Sequence, residues 1–130
     1  MAEPSPYERI GGDAAVRRLV NRFYDHMDTL ELAAVIRAMH PNDLTSSRQK
    51  LYEFMSGWLG GPALYWERHG HPRLRMRHFP FAIDGDAAEA WMQCMWRALH
   101  EVVEDDDLRQ WLAQRLAQVA VHMVNRADPD

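Results

Sequence analysis

The sequence predicts an all-α fold, and three observations predict it. Four stretches carry apolar residues at the three- and four-residue steps of a helix face. No stretch alternates apolar and polar residues as a half-buried strand would. Glycine, proline and short polar residues gather at the ends of the periodic stretches, where they start and stop helices.

Taken in order, residues 1–6 hold two prolines and read as a loose, disordered tail, and Tyr7 to Ile10 leave room for one helical turn before Gly11-Gly12 breaks it. Val16, Leu19, Val20, Phe23, Tyr24 and Met27 place a helix over 13–28, with Gly12 or Asp13 at its start. Leu32, Val35, Ile36 and Met39 keep helical spacing, so a second short helix is expected within 29–43. His40-Pro41-Asn42-Asp43 stops it, and Asp43 is placed to cap the next helix. Leu44, Leu51, Phe54, Met55 and Trp58 mark that helix over 44–58, closed by Gly60-Gly61-Pro62. Asp84-Gly85-Asp86 opens a helix over 85–103 that buries Ala87, Trp91, Cys94, Met95, Ala98, Leu99 and Val102. An acid-rich run from Glu101 to Asp107 reads as solvated loop and helix start. Leu108, Leu112, Leu116, Val119, Ala120 and Met123 then give a last helix over 106–126. One domain over 7–127 is the expectation.

A chain of 130 residues is long enough to bury a real core, and its 47% hydrophobic and 26% charged shares suit a globular domain. The net charge of −4 argues against a general nucleic-acid binder. Cys94 is the one cysteine, so no internal disulfide forms and a reducing compartment fits. No apolar run approaches the roughly 18 residues needed to span a bilayer. The first residues lack the basic and apolar regions of a secretory signal. A cytoplasmic protein, acting neither on nucleic acid nor in a membrane, is expected.

The chemistry gathers in 69–81, His-Gly-His-Pro-Arg-Leu-Arg-Met-Arg-His-Phe-Pro-Phe. Pro72 and Pro80 permit only a short helix ending at His78. Such a segment can hold one imidazole at a fixed angle, with Arg73, Arg75 and Arg77 beside it and Phe79 and Phe81 behind. His78 is then a metal or cofactor ligand, and the arginines suit a cofactor's carboxylates or phosphates, because the guanidinium fork makes two charge-assisted bonds. The competing reading is a solvated basic loop ending at a core histidine. His69 and His71 form a His-x-His pair, but a zinc site would need further close ligands that the local sequence lacks. Among ligands for an apolar helical box with one imidazole, haem fits best: a flat macrocycle, two edge carboxylates, and an iron that accepts histidine. Tyr24, Trp91 and His40 are the polar groups that could face its other side, set against their plainer readings as core-edge or helix-end residues.

These residues match a pattern. Phe23-Tyr24, Gly60-Gly61-Pro62, the run from Gly70 to His78 and Ala90-Trp91-x-x-Cys94-Met95 together resemble the group II truncated haemoglobins, over about residues 7–126. The resemblance implies a two-over-two helical sandwich around haem b (iron protoporphyrin IX) with His78 as proximal iron ligand. It implies Tyr24 and Trp91 on the distal side, with Leu51, Phe54 and Met55 as the apolar wall. Ser47 stands where many globins carry a distal histidine. Arg75 or Arg77 would meet the propionates, which His71 and Tyr65 could also reach, beside Phe81. The link from Tyr24 to His40 is longer than the group's pattern, and His40 replaces an aromatic residue, so His40 or Tyr24 could become a sixth iron ligand.

The expected function is binding of dioxygen, nitric oxide, carbon monoxide or peroxide, with distal donors that slow dioxygen release. Detoxification of nitric oxide or peroxide with an unidentified reductase is expected over bulk oxygen transport. A non-enzymatic carrier or sensor with an internally hexacoordinated haem is the alternative, and an interaction module binding an acidic partner is a third. Both monomer and homodimer are compatible with the sequence.

Overall fold

The computed structural model describes residues 3–125, and every regular element among them is helical. In order these are α1 (Pro6–Ile10), α2 (Asp13–Thr29), a 3-10 turn (Glu31–Ala33) running into α3 (Ala34–Ala38), α4 (Thr45–Trp58), α5 (Leu64–His69), α6 (Leu74–His78), α7 (Gly85–Val102) and α8 (Asp106–His122). Helix α2 packs on α7 and α4, and α7 packs on α8. The pair α2–α4 therefore lies over α7–α8, the two-over-two sandwich expected.

Burial along single stripes holds this frame. Val16, Leu19, Val20, Phe23 and Met27 from α2 meet Cys94, Met95, Ala98 and Leu99 from α7, with Leu108, Leu112 and Leu116 from α8 beneath. Each fully buried Leu, Phe or Met contributes about 1.5–3 kcal/mol, far more than helix propensity at the same position. No helix among the described residues is long and apolar enough to cross a membrane.

The ends differ from expectation for local reasons. Residues 1–6 are not loose from Ser5 onward: Ser5 Oγ accepts the Glu8 N–H, and the Tyr7 N–H donates to the Leu59 carbonyl at 2.9 Å. Gly61 is needed beside that contact, since a Cβ there would collide with the Tyr7 ring. Asp13 makes no cap. Its carboxylate takes the Tyr52 hydroxyl and the Arg17 guanidinium, which hold it below the usual carboxylate range and tie α4 to α2. Asp84 and Asp105 do cap α7 and α8, accepting from Ala87 and Leu108. The final helix stops at His122 because Asn125 turns back to Ile83. Residues 1–2 and 126–130, which include the ends of the expected tail and domain, lie outside the described residues.

Candidate functional site

Between the two layers lies a cavity of about 490 Å³, within the range of small-molecule sites. Tyr24, His40, Leu51, Phe54, Met55, Tyr65, Arg77, His78, Phe81 and Trp91 all line it. Elements distant in sequence thus bring ten of the twelve expected site residues to one space.

His78 ends α6. Its helix is one turn long because Pro72 precedes it and Pro80 follows. Arg73, with φ of 46°, turns the chain into that helix. The His78 Nδ1 lies 2.6 Å from the Leu74 carbonyl, which can only accept, so Nδ1 carries the proton and Nε2 keeps its lone pair. That is the tautomer a metal requires, oriented by a carbonyl as metal-bound imidazoles commonly are. Arg77 sends its Nε to the Pro72 carbonyl at 2.8 Å and its guanidinium lies 5.8 Å over the Tyr65 ring.

Opposite stand the polar groups of α2, the α3–α4 link and α7. Tyr24 is 6% exposed, edge-on to Phe23 at 5.0 Å and to His40 at 5.8 Å. Burial pushes its phenol pKa well above 10, so it stays a protonated donor. Trp91 leans on the same Phe23 ring at 5.1 Å. One fully buried phenylalanine therefore sets the positions of both. His40 donates from Nδ1 to the Ile36 carbonyl at 2.8 Å, and burial lowers its pKa, which keeps the ring neutral near pH 7.

Two expected residues are not brought in. His71 is exposed: its Nδ1 accepts the Arg73 N–H at 3.0 Å and its ring lies 5.0 Å from Trp66, so the turn over Pro72 draws it outward. Arg75 belongs to α6, but its side chain lies outside the described residues. Among the described residues no group of three or more His, Cys, Asp or Glu side chains could hold a metal ion, which leaves the His69–His71 pair without co-ligands.

Other contributors escaped the sequence reading. Lys50 joins Ser46, Ser47 and Pro41 on the solvent side of the cavity, and among the described residues no carboxylate lines it. The charged groups that the described residues put on its wall, Lys50 and Arg77, are both cations. Leu116, Val119, Ala120 and Met123, read as ordinary core, form the floor. Asn125 is the largest omission. Its side chain donates to the carbonyls of His78 at 3.1 Å and Phe81 at 2.9 Å, and accepts the Ile83 N–H at 2.9 Å. A lone asparagine past a helix end gives no sequence signal for such a clamp.

These residues fit haem. The wall is mostly apolar, the imidazole of His78 presents a lone pair, cations suit two edge carboxylates, and among the described residues no carboxylate lines the cavity to compete with them.

The comparisons agree. The family model for the bacterial-like globin matches residues 5–125. The group 2 truncated hemoglobin YjbI of Bacillus subtilis is 40% identical over 126 residues, 97% of this chain and 92% of that protein. The cold-adapted truncated hemoglobin of Pseudoalteromonas haloplanktis TAC125 superposes with a TM-score of 0.93 at 48% identity, covering 95% of this chain and 99% of that one. The group II 2-on-2 hemoglobin of Agrobacterium tumefaciens gives 0.94 at 44% identity, covering 98% of each. The chain belongs to the bacterial-like globin family as a group II truncated haemoglobin, and is by that membership a haem-based protein for small gaseous ligands.

Proposed function

We propose that this cavity holds haem b, with His78 as the iron ligand and Tyr24, His40 and Trp91 facing the bound gas. The proposed role is cytoplasmic redox chemistry on nitric oxide or peroxide, supplied with electrons by a reductase, rather than bulk oxygen transport. When bound, haem supplies an iron that takes a diatomic ligand or peroxide and changes oxidation state.

The observation that carries the reading is the polarity of the cavity. Tyr24 and Trp91 are donors in a wall to which no described residue brings a carboxylate. Donors held in a dry pocket favour a ligand that gathers negative charge, and such bonds are stronger there than in water. They retain dioxygen, which suits chemistry better than release, and the same donors polarise a peroxide oxygen. Arg77 and Lys50 are the chain's groups for the cofactor's carboxylates, with Tyr65 beside Arg77. Leu51, Phe54, Met55 and Phe81 exclude water from the macrocycle faces.

One observation favours a second reading. His40, like His78, has Nδ1 committed to a carbonyl, so its Nε2 keeps its lone pair, and the residue lines the cavity. Bound as a sixth ligand, it would make the protein a gas sensor or carrier rather than an enzyme. The test is the ultraviolet–visible spectrum of the purified protein, ferric and then reduced, followed by turnover with peroxide and with nitric oxide. A Soret band with turnover supports the redox role. Sharp, split visible bands in the reduced form without turnover support the second reading, and no Soret band after haem addition removes both.

A further inference from the structure

Helix α5 needs an external hold. It has six residues, none of them buried, and helices that short do not persist alone. Beneath it, α4 presents Glu53, which is 3% exposed and whose Oε2 is buried without a hydrogen bond. A carboxylate is not kept in an interior without counter-charge. Two cations of α5 supply it: Arg68 Nη1 at 3.4 Å and His69 Nε2 at 3.3 Å, the latter when protonated. The carboxylate comes from inside, whereas the Arg68 side chain is 54% exposed and that of His69 35%.

This cluster stands one contact behind the cavity wall. The His69 ring lies 4.7 Å from Tyr65, over which the Arg77 guanidinium sits, and Tyr65 and Arg77 both line the cavity. Glu53, Arg68 and His69 do not. We propose that Glu53 is a positioning residue: its buried charge fastens α5 to α4 and thereby fixes Tyr65, and Arg77 with it, at the cofactor's edge. The proposal rests on the haem reading for what Tyr65 faces, though not for the fastening itself.

The asymmetry of burial says which substitution is informative. Removing Arg68 and His69 together strands a buried charge and endangers the fold. Glu53→Gln keeps the shape, removes the charge, and leaves the α2–α7 core untouched.

The experiment is amide hydrogen exchange on the full chain, with and without added haemin, for the natural protein and Glu53→Gln. The amides that report on α5 are that of Glu67, bonded to the Ala63 carbonyl, and that of the capping Gly70, bonded to the Trp66 carbonyl. They are expected to exchange at least about 10-fold faster in the variant, while α2 and α7 amides keep their rates. Haem transfer to apomyoglobin should accelerate alongside, and adding Tyr65→Ala to Glu53→Gln should accelerate it no further. Unchanged α5 exchange would overturn the proposal, as would a uniform rise across α2 and α7, which marks a residue of general stability. If Glu53→Gln fails to fold, Arg68→Gln, altered on an exposed side chain, is read by the same α5 amides. A protein that never takes up haemin would sink the haem reading while the haemin-free exchange still judges Glu53.

Discussion

His78 donates its Nδ1 proton to the carbonyl of Leu74, one turn earlier in the same short helix, across 2.6 Å. The bond fixes both tautomer and ring direction, leaving Nε2 with the lone pair that the proposed iron ligation would use. His78→Ala removes that atom without touching the α2–α7 core. The variant should fold but retain no haem through gel filtration, seen as loss of the Soret band; full haem with an unchanged spectrum would refute the assignment.

His40 repeats the arrangement with Ile36, but its ring is half-buried, and burial lowers its pKa from 6.5. The Ile36 bond opposes that shift, while Arg37 and His78 add to it. The unfolded chain therefore binds this proton first as pH falls, so the group costs stability from about pH 6.5 downward and costs none above. His40→Phe should flatten the acid side of a plot of urea midpoint against pH, relative to the natural chain, with little change at alkaline pH. If His40 ligates iron, the same variant should also lose any split visible bands of the reduced form.

Trp91 and Tyr24 both pack on Phe23, and each carries its own donor. Losing one hydrogen bond to a charged acceptor costs about 1.5–3 kcal/mol, which is tenfold or more in rate. Trp91→Phe should speed dioxygen release by at least about 10-fold in stopped-flow displacement by carbon monoxide. Unaltered release would assign the stabilisation to Tyr24 or His40.

Asn125 ties the His78–Ile83 segment to the end of α8 through three side-chain bonds. Asn125→Ala strands two carbonyls and an N–H that are partly shielded from water, at about 1 kcal/mol for each neutral bond lost. Haem loss should accelerate severalfold, while Asn125→Asp, which keeps only the acceptor, should recover part of the hold. Haem loss at the natural rate in Asn125→Ala would show that the prolines alone fix His78.

Cys94 is fully buried, and burial pushes its thiol up to about 11. The reactive form is the thiolate, so the folded protein should resist a disulfide reagent near pH 8 and react only on unfolding. Reaction as rapid as that of a free thiol would mean that α7 opens readily.

The long helices were legible because their information is local. Val16, Leu19, Val20 and Phe23 announce a stripe by spacing alone, and Asp84 announces a start. His78 was legible for a similar reason, since two prolines leave one short helix that can end there. His71 was misplaced because an imidazole beside a turn can point either way, and the Arg73 N–H and Trp66 ring decide it.

What the sequence by itself determined is the long helices and their buried faces, and it offered His78, Tyr24, Trp91 and His40 as the candidates for one site. Which of these meet was decided by tertiary structure. The approach of α2, α4, α6 and α7 around one space, the Asn125 clamp and the buried charge of Glu53 all join residues far apart in the chain. Periodicity reports only on neighbours within a few turns, whereas the pairing of a donor with its acceptor depends on how whole helices stack.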